Sequence, residues 1–292
     1  RDVLLVFPTY AAGALSADPR HGVEAKLIDV MLRMYGCQMR RVGLPRLDKM
    51  CAGELDEYRL IVVPCAAYVT PETWKKLEQT KATVVMTGCV GQSYDSEYTP
   101  WNKGREIEGL KLIYLRRSGG ALTVPKDHPL TSGLENCLAN EAVQLPEDES
   151  FDYADGGRDA RVLLRCGEVP VLSTNHNGRW VFIHGHLLAG LAYDPDRTPP
   201  KKLAGSRDSS ANEVDLWGPY SSSSPANAVG RRLWRNILDH ANVAYRLPDP
   251  LPRTCAAYLG DHMEQVSISA NIVYNNMDES REITVRLPFA PA

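Results

Sequence analysis

The sequence predicts an α/β protein with a doubly wound, mainly parallel sheet, followed by a small antiparallel β module. Residues 2–10, 58–65 and 82–87 are strongly apolar, the pattern of strands that are buried on both faces of a parallel sheet. Beyond residue 252 the apolar period changes to two, which is typical of strands with one buried face. These two patterns together predict a large α/β region and a separate β region.

Helical segments are expected between the parallel strands. Residues 21–35 carry apolar side chains at helical spacing, and Gly36 follows them as a C-cap. A short strand is expected at residues 37–42 and a short helix at residues 47–55. Thr70 is a suitable N-cap for the next helix. This alternation of strands and helices with short connections predicts helices on both faces of the sheet.

The pattern after residue 91 is looser but still predicts strands. The three that lie furthest along the chain are expected to be antiparallel, with the turn of the last pair at Asn177-Gly178. An amphipathic helix is expected at residues 225–241. The expected strands are 110–115, 121–124, 162–166, 170–174 and 179–184.

The predicted division is an α/β domain at residues 1–246, a stiff linker at 247–252 and an antiparallel β module at 253–292. The linker sequence LPDPLP favours an extended spacer. Three short strands bury little apolar area by themselves, so the module is expected to lean on the α/β domain. Its expected strands are 255–259, 266–274 and 282–287.

The composition argues against several function classes. The net charge is −3 and the basic pairs are scattered, whereas a nucleic-acid surface requires clustered Lys and Arg. No apolar run in the sequence approaches the length of about eighteen residues that a membrane-spanning helix needs. Seven cysteines without CxxC spacing argue against a disulfide framework and a zinc site, and favour a reducing, cytoplasmic location. The chain begins with Arg1 at the edge of a strand, so it is expected to be part of a longer polypeptide.

Cys89 is the sharpest catalytic candidate. It lies in the segment TGCVGQ directly after a predicted strand, and it resembles the nucleophile elbow of class I glutamine amidotransferases. Thr87 stands where the elbow has its first glycine, and the polar segment that follows does not predict the helix that an elbow requires. We therefore expect that Cys89 is not a nucleophile.

His184 and His186 follow a predicted strand, where a base for Cys89 would lie. No carboxylate stands two residues after either histidine to orient it. Two histidines separated by one residue on a strand would face the same side, but no third metal ligand is suggested. The sequence therefore predicts no catalytic site, no metal and no cofactor in this chain.

Three aromatic residues lie in polar, irregular segments: Trp101, Trp217 and Tyr220. Such side chains either pack on their own domain or stack on sugars or partner surfaces. Trp217 and Tyr220 belong to the segment 194–224, which is long for a connector and is expected to be used at a surface. The other tryptophans lie in regular elements and are expected in the core.

The order of these segments resembles the trimerisation domain of β-galactosidases of glycoside hydrolase family 42 and its relatives. The resemblance rests on YRLIVVPC at 58–65, the Thr70-Pro71-Glu72 helix start, ATVVMTG at 82–88 and GRWVFI at 178–183. The small terminal β domain of these enzymes is similar to residues 271–288. Segment 194–224 departs from the family pattern.

The resemblance implies an amidotransferase-like, that is flavodoxin-like, fold without catalytic residues. It further implies that a catalytic (β/α)8 barrel with two catalytic glutamates precedes Arg1, and that the parent enzyme binds the carbohydrate. The resemblance also implies that the protein forms a homo-oligomer, namely a trimer. Two alternatives remain from the residues. One is a free-standing hydrolase or amidotransferase that uses Cys89 with His184 or His186, and the other is a ThuA-like sugar-binding domain.

Overall fold

A computed structural model of the chain describes the core of the α/β region and two strands near the C-terminus. The described residues are 2–7, 24–25, 27–29, 31–32, 35–64, 69–88, 106–107, 110–116, 120–125, 127–140, 144–145, 150–155, 161–175, 178–184, 187–191, 227–245, 255–258 and 272–275.

The strands within these ranges are numbered in chain order. They are β1 (Val3–Phe7), β2 (Met39–Gly43), β3 (Leu60–Val63), β4 (Thr83–Gly88), β5 (Glu106–Ile107), β6 (Leu110–Arg116), β7 (Gly120–Thr123), β8 (Gln144–Leu145), β9 (Ser150–Asp155), β10 (Arg161–Cys166), β11 (Val169–Asn175), β12 (Trp180–His184), β13 (Cys255–Tyr258) and β14 (Ile272–Asn275).

The helices are numbered in the same way. They are α1 (described at 24–25, 27–29 and 31–32), α2 (Leu44–Lys49), α3 (Ala52–Leu55), α4 (Pro71–Gln79), α5 (Leu134–Asn140), α6 (Leu187–Leu191) and α7 (Asn227–His240), with a 3₁₀ turn at Pro129–Thr131. None of the helices in the described ranges has both the length and the apolar character that crossing a bilayer requires.

The main sheet has the strand order β2-β1-β3-β4-β12-β11-β10-β7-β8 within the described residues. The first five strands are parallel, and the pairs from β12 to β8 are antiparallel. This confirms the doubly wound α/β fold, and β1, β3 and β4 are neighbours as predicted. Strand β12 joins the two halves, since it is parallel to β4 and antiparallel to β11.

Two apolar cores lie on the two faces of this sheet. Alternation along β1 sends Val3 and Leu5 into the core that contains α1 and α7, and Leu4 and Val6 into the core that contains α2 and α4. All four side chains are fully buried. Burial on both faces is the physical reason why the strand is apolar throughout.

Two predicted helix ends and one predicted helix are confirmed. Gly36 has φ +67°, and the Cys37 N–H donates to the Leu32 carbonyl across it, which is the Schellman arrangement. The Thr70 hydroxyl accepts from the Thr73 N–H at 3.3 Å and so caps α4. The amphipathic pattern at 225–241 corresponds to α7.

The predicted short helix at 47–55 was wrong, because the segment is two helices with a break at Met50 and Cys51. Both residues are extended, with ψ 141° and 165°. Glu54 accepts from the Cys51 N–H at 2.9 Å and starts α3. Lys76 of α4 donates to the carbonyls at the end of α2, at 2.6–3.2 Å. The break is therefore held from both sides.

The region between β7 and β10 contains more structure than predicted. The segment 127–134 holds the 3₁₀ turn and leads into α5, and strands β8 and β9 were not predicted. A second sheet has the order β5-β6-β9. Pairing of β6 with β9 bridges about forty residues of chain, which no local pattern reveals.

The predicted β module is described only at β13 and β14, which pair antiparallel as expected. The rest of the module, including the expected strand at 282–287, lies outside the described residues. The division at residues 246 and 253 stays a prediction.

Candidate functional site

The ends of β4 and β12 lie side by side at the carboxyl edge of the parallel strands, where α/β proteins bind ligands. Gly88 and His184 are partners in the register of these two strands. Cys89 is the residue after Gly88, so the topology brings its strand end next to that of His184. Cys89 and His186 themselves lie outside the described residues.

The three aromatic candidates for substrate or partner contact also lie outside the described residues. They are Trp101, Trp217 and Tyr220, and segment 194–224 lies outside as well. Of the predicted site residues, the structure therefore describes His184, and the roles of the others stay predictions.

His184 is enclosed in the core rather than exposed at the sheet edge. Its side chain is 0% exposed, and its Nε2 lies 2.6 Å from the Oγ of Ser173 on β11, which is also 0% exposed. Ser173 is the register partner of Phe182, so the two side chains meet diagonally on one face of the antiparallel pair. Sequence reasoning missed Ser173, because its position opposite β12 depends on the register.

An aromatic column holds the His184 ring. Trp180, Phe182 and His184 alternate along β12 on one face, with near-parallel rings whose centroids are 5.9 and 6.2 Å apart. Trp74 of α4 stacks on Trp180 at 5.7 Å. The predicted core positions of these tryptophans are confirmed, since both are at most 3% exposed. His184 thus continues a packed apolar layer.

Arg179 closes the other end of this column. Its guanidinium lies 5.6 Å from the Trp180 ring centroid and donates to the carbonyls of Thr80, at 2.6 Å, and Glu78, at 3.0 Å. These carbonyls belong to the C-terminal end of α4 and the residue after it. A cation at this helix end is favourable for the helix dipole, so Arg179 ties α4 to β12.

The chemistry open to the Ser173–His184 pair is limited by its burial. A serine hydroxyl at hydrogen-bond distance from a histidine is half of a nucleophilic constellation. Neither side chain reaches solvent, so a substrate carbonyl has no access to the Ser173 Oγ in this structure. The hydrogen bond between the two side chains therefore serves to satisfy two polar groups that are buried in the core.

Buried polar atoms without a hydrogen-bond partner lie near this pair. Among the described residues, the Thr87 Oγ1 and the Trp180 Nε1 have none. Thr87 is two residues after Val85, so it faces the α1 and α7 side, opposite to His184. The unsatisfied Thr87 hydroxyl therefore lies on the opposite face of the sheet from His184.

A pair of histidines, His128 and His240, lies near the start of β12, at the opposite end of that strand from His184. The ring centroids of His128, before the 3₁₀ turn, and His240, at the end of α7, are 6.4 Å apart. The His128 Nδ1 accepts from the Leu130 N–H at 3.2 Å. The His240 Nε2 lies 3.0 Å from the Gly178 carbonyl.

A surface cleft of about 370 Å³ opens beside His128. Burial, and after it the charges of His240 and Arg161, hold the pKa of His128 below its ordinary value. The cleft is lined by Val124, Asp127, His128, Pro129, Thr131, Ser132, Gly133 and Glu135.

Metal ligation finds no support in the part of the chain that the structure describes, where no three His, Cys, Asp or Glu side chains converge. Four of the described cysteines form no disulfide: Cys37 and Cys166 are buried, Cys137 is half-buried and Cys51 is exposed. Burial, with a smaller contribution from Asp2, raises the pKa of the Cys37 thiol far above its ordinary value, so this thiol is chemically inert.

No family model and no curated protein sequence matches the chain. Among solved structures, its fold is similar to that of part of the β-galactosidase from the psychrophilic Marinomonas ef1, with a TM-score of 0.53 and 15% sequence identity. The match covers 88% of this chain and 31% of that enzyme, so the chain spans about a third of the length of the β-galactosidase it matches.

Two further solved structures are similar over a smaller part of the chain. A ThuA-like protein from Bacteroides uniformis has a TM-score of 0.46 and 17% identity, over 63% of this chain and 82% of its own. A GH42 β-galactosidase from G. stearothermophilus has a TM-score of 0.46 and 15% identity, over 63% of this chain and 27% of its own. The Marinomonas match shows that the chain shares the fold of part of that β-galactosidase, as the resemblance implied; identity this low concerns the fold alone.

Proposed function

We propose that this chain is the assembly region of a glycoside hydrolase of the β-galactosidase type and has no catalytic site of its own. The observation that carries the proposal is the asymmetry of the match, which takes in 88% of this chain but 31% of a β-galactosidase. A likeness of that kind is expected when a chain corresponds to an accessory part of a larger enzyme.

The enclosed position of His184 supports the proposal. A general base has to reach the proton that it abstracts, within hydrogen-bond distance or through one water. His184 instead bonds Ser173 and stacks on Phe182 in a core without solvent access. In the proposed parent enzyme, the two catalytic glutamates lie on a barrel that precedes Arg1, and carbohydrate binds there.

Assembly is proposed to be homotrimeric, with segment 194–224 at the subunit or substrate contact. Trp217 and Tyr220 would be buried by that contact or stack on a sugar face, and Trp101 is proposed for the same role. Aromatic side chains are the residues that interfaces and sugar sites use most for contact area.

The test compares this chain with the product of its full reading frame. Sedimentation velocity gives the oligomeric state of each, and hydrolysis of an aryl β-galactoside gives the activity. We expect a barrel in the longer product, a trimer that hydrolyses the substrate, and no hydrolysis by this chain alone. Trp217→Ala should weaken the trimer, whereas the exposed control Lys75→Ala should not. A longer product that is a monomer, or hydrolysis by this chain alone, would overturn the proposal.

A second candidate, a Cys89-dependent hydrolase or amidotransferase, is favoured by the register of Gly88 with His184. It requires a reactive thiolate at Cys89. We expect iodoacetamide near neutral pH to label Cys89 no faster than the exposed Cys51, as measured by peptide mass spectrometry. Faster, stoichiometric labelling of Cys89 together with loss of a measured hydrolytic activity would establish the second candidate instead.

A further inference from the structure

His128 caps the 3₁₀ turn with a ring nitrogen that carries no proton. Its Nδ1 accepts from the Leu130 N–H at 3.2 Å, and its own carbonyl accepts from the Thr131 N–H at 2.9 Å. An imidazole nitrogen that accepts a hydrogen bond must be deprotonated, so the neutral ring holds its proton on Nε2. The cap exists only while His128 is neutral.

The turn that His128 caps is docked on α7 by polar contacts. The buried Asn236 amide donates to the carbonyls of Leu130 at 3.1 Å and Ser132 at 2.9 Å. Arg232 donates to the Ser132 carbonyl at 2.8 Å and lies against Gly133, where a Cβ would stand 2.9 Å from the guanidinium. The turn therefore positions the residues that line the cleft.

His240 is fixed in a position that faces His128. The Gly178 carbonyl can only accept, so the His240 Nε2 donates to it. Gly178 has φ +89°, and a Cβ there would lie 2.5 Å from the His240 Nε2, so the ring is closely packed. The distance of 6.4 Å between the His128 and His240 ring centroids is thus set by the tertiary structure.

The other charged groups near His128 are of both signs. Arg161 of β10 and Arg232 of α7 are positive, and Arg161 acts on His128 in the same direction as His240. Asp127 and Glu135, which line the cleft, are negative. Burial is the largest cause of the lowered pKa of His128, and the charges of His240 and Arg161 lower it further.

We propose that the contact between His128, the 3₁₀ turn and His240 is a proton-sensitive switch that controls the shape of the cleft. Protonation of the His128 Nδ1 removes the acceptor of the Leu130 N–H and places a positive charge opposite His240 and Arg161. The turn then loses its cap and its residues move away from α7, while Leu130 and Leu134 keep the segment attached through the apolar core.

The direction of the pH effect follows from the lowered pKa of His128. The unfolded or opened segment takes up a proton near pH 6.5, whereas the closed segment takes it up at a lower pH. The contribution of the closed contact is therefore complete above pH 6.5 and is lost as the pH falls through the lowered pKa. Docking of the turn on α7, with the cleft shape seen in this structure, is therefore a property of neutral and alkaline pH.

Two nuclear magnetic resonance measurements on the intact chain test the proposal. Histidine ¹⁵N shifts report the tautomer and the titration of His128, and hydrogen exchange reports the opening of the Leu130 amide. We expect the Nε2–H tautomer at pH 7.5 and a fall of about tenfold in the Leu130 protection factor between pH 7.5 and 5.5, the effect of losing one capping hydrogen bond. Protection factors already correct for the intrinsic pH dependence of exchange.

Two variants distinguish the switch at His128 from a destabilisation of the whole protein at low pH. His128→Asn keeps a good N-cap acceptor that does not titrate, so its Leu130 protection should be independent of pH. His240→Gln keeps a donor for the Gly178 carbonyl but removes the facing charge, so the His128 titration should move to higher pH. An Nδ1–H tautomer, pH-independent protection in the wild type, or an unchanged loss in His128→Asn would overturn the proposal.

Discussion

Removing the Ser173 hydroxyl tests whether the Ser173–His184 contact stabilises the core. In Ser173→Ala, the His184 Nε2 loses a hydrogen bond of 2.6 Å at a position with no access to water. Leaving a buried polar group without its bond costs about 1–3 kcal/mol. We expect the free energy of unfolding to fall by about 2 kcal/mol, or the melting temperature by about 4–8 °C.

Urea unfolding followed by tryptophan fluorescence measures this effect, because Trp180 lies in the same aromatic column as His184. The slope against urea has to stay unchanged for the comparison to be valid. Ser132→Ala is the matched control, since Ser132 is exposed and loses the same hydroxyl. The control should stay within about 0.5 kcal/mol of the wild type.

A double substitution distinguishes a lost hydrogen bond from a packing defect. Ser173→Ala combined with His184→Leu replaces both polar partners by apolar groups, which is nearly neutral when shapes are similar. The double variant should therefore be more stable than Ser173→Ala alone. If Ser173→Ala behaves like Ser132→Ala, the contact does not stabilise the core and the structural role of His184 has to be rejected.

Two further stability predictions follow from single contacts. Lys76→Met removes an ammonium that donates to three carbonyls at the end of α2, and it should lower the free energy of unfolding in urea by about 2 kcal/mol. Lys75→Met, at an exposed position, should lower it by under about 0.5 kcal/mol, and equal losses would contradict the role of Lys76. Gly178→Ala introduces two unfavourable features, a side chain at a positive φ and a Cβ that would lie 2.5 Å from the His240 Nε2. Gly167→Ala introduces only the first, because φ is +54° there and no atom lies within 4 Å of the added Cβ. Gly167→Ala should cost about 1 kcal/mol and Gly178→Ala clearly more, and the reverse order would refute the packing argument.

The sequence alone determined the parallel half of the sheet and several helix ends. Strands β1 and β3 are apolar at every position, and β4 is apolar at Val84, Val85 and Met86, because both faces of the sheet are covered. That requirement is visible in the sequence of each strand by itself. Gly36 and Thr70 were identified because a left-handed C-cap and a side-chain N-cap each favour a small set of residue types. Such signals are local, so they need no knowledge of the fold.

Only the tertiary structure decided which polar residues meet. Ser173 reaches His184 because a register places β11 against β12, and His128 meets His240 from 112 residues away because the 3₁₀ turn docks on α7. The break between α2 and α3 depends on Lys76, which is 26 residues from Met50. Contacts between distant segments depend on the pairing and packing of whole elements, and hydrophobic periodicity carries no information about which polar side chains those elements bring together.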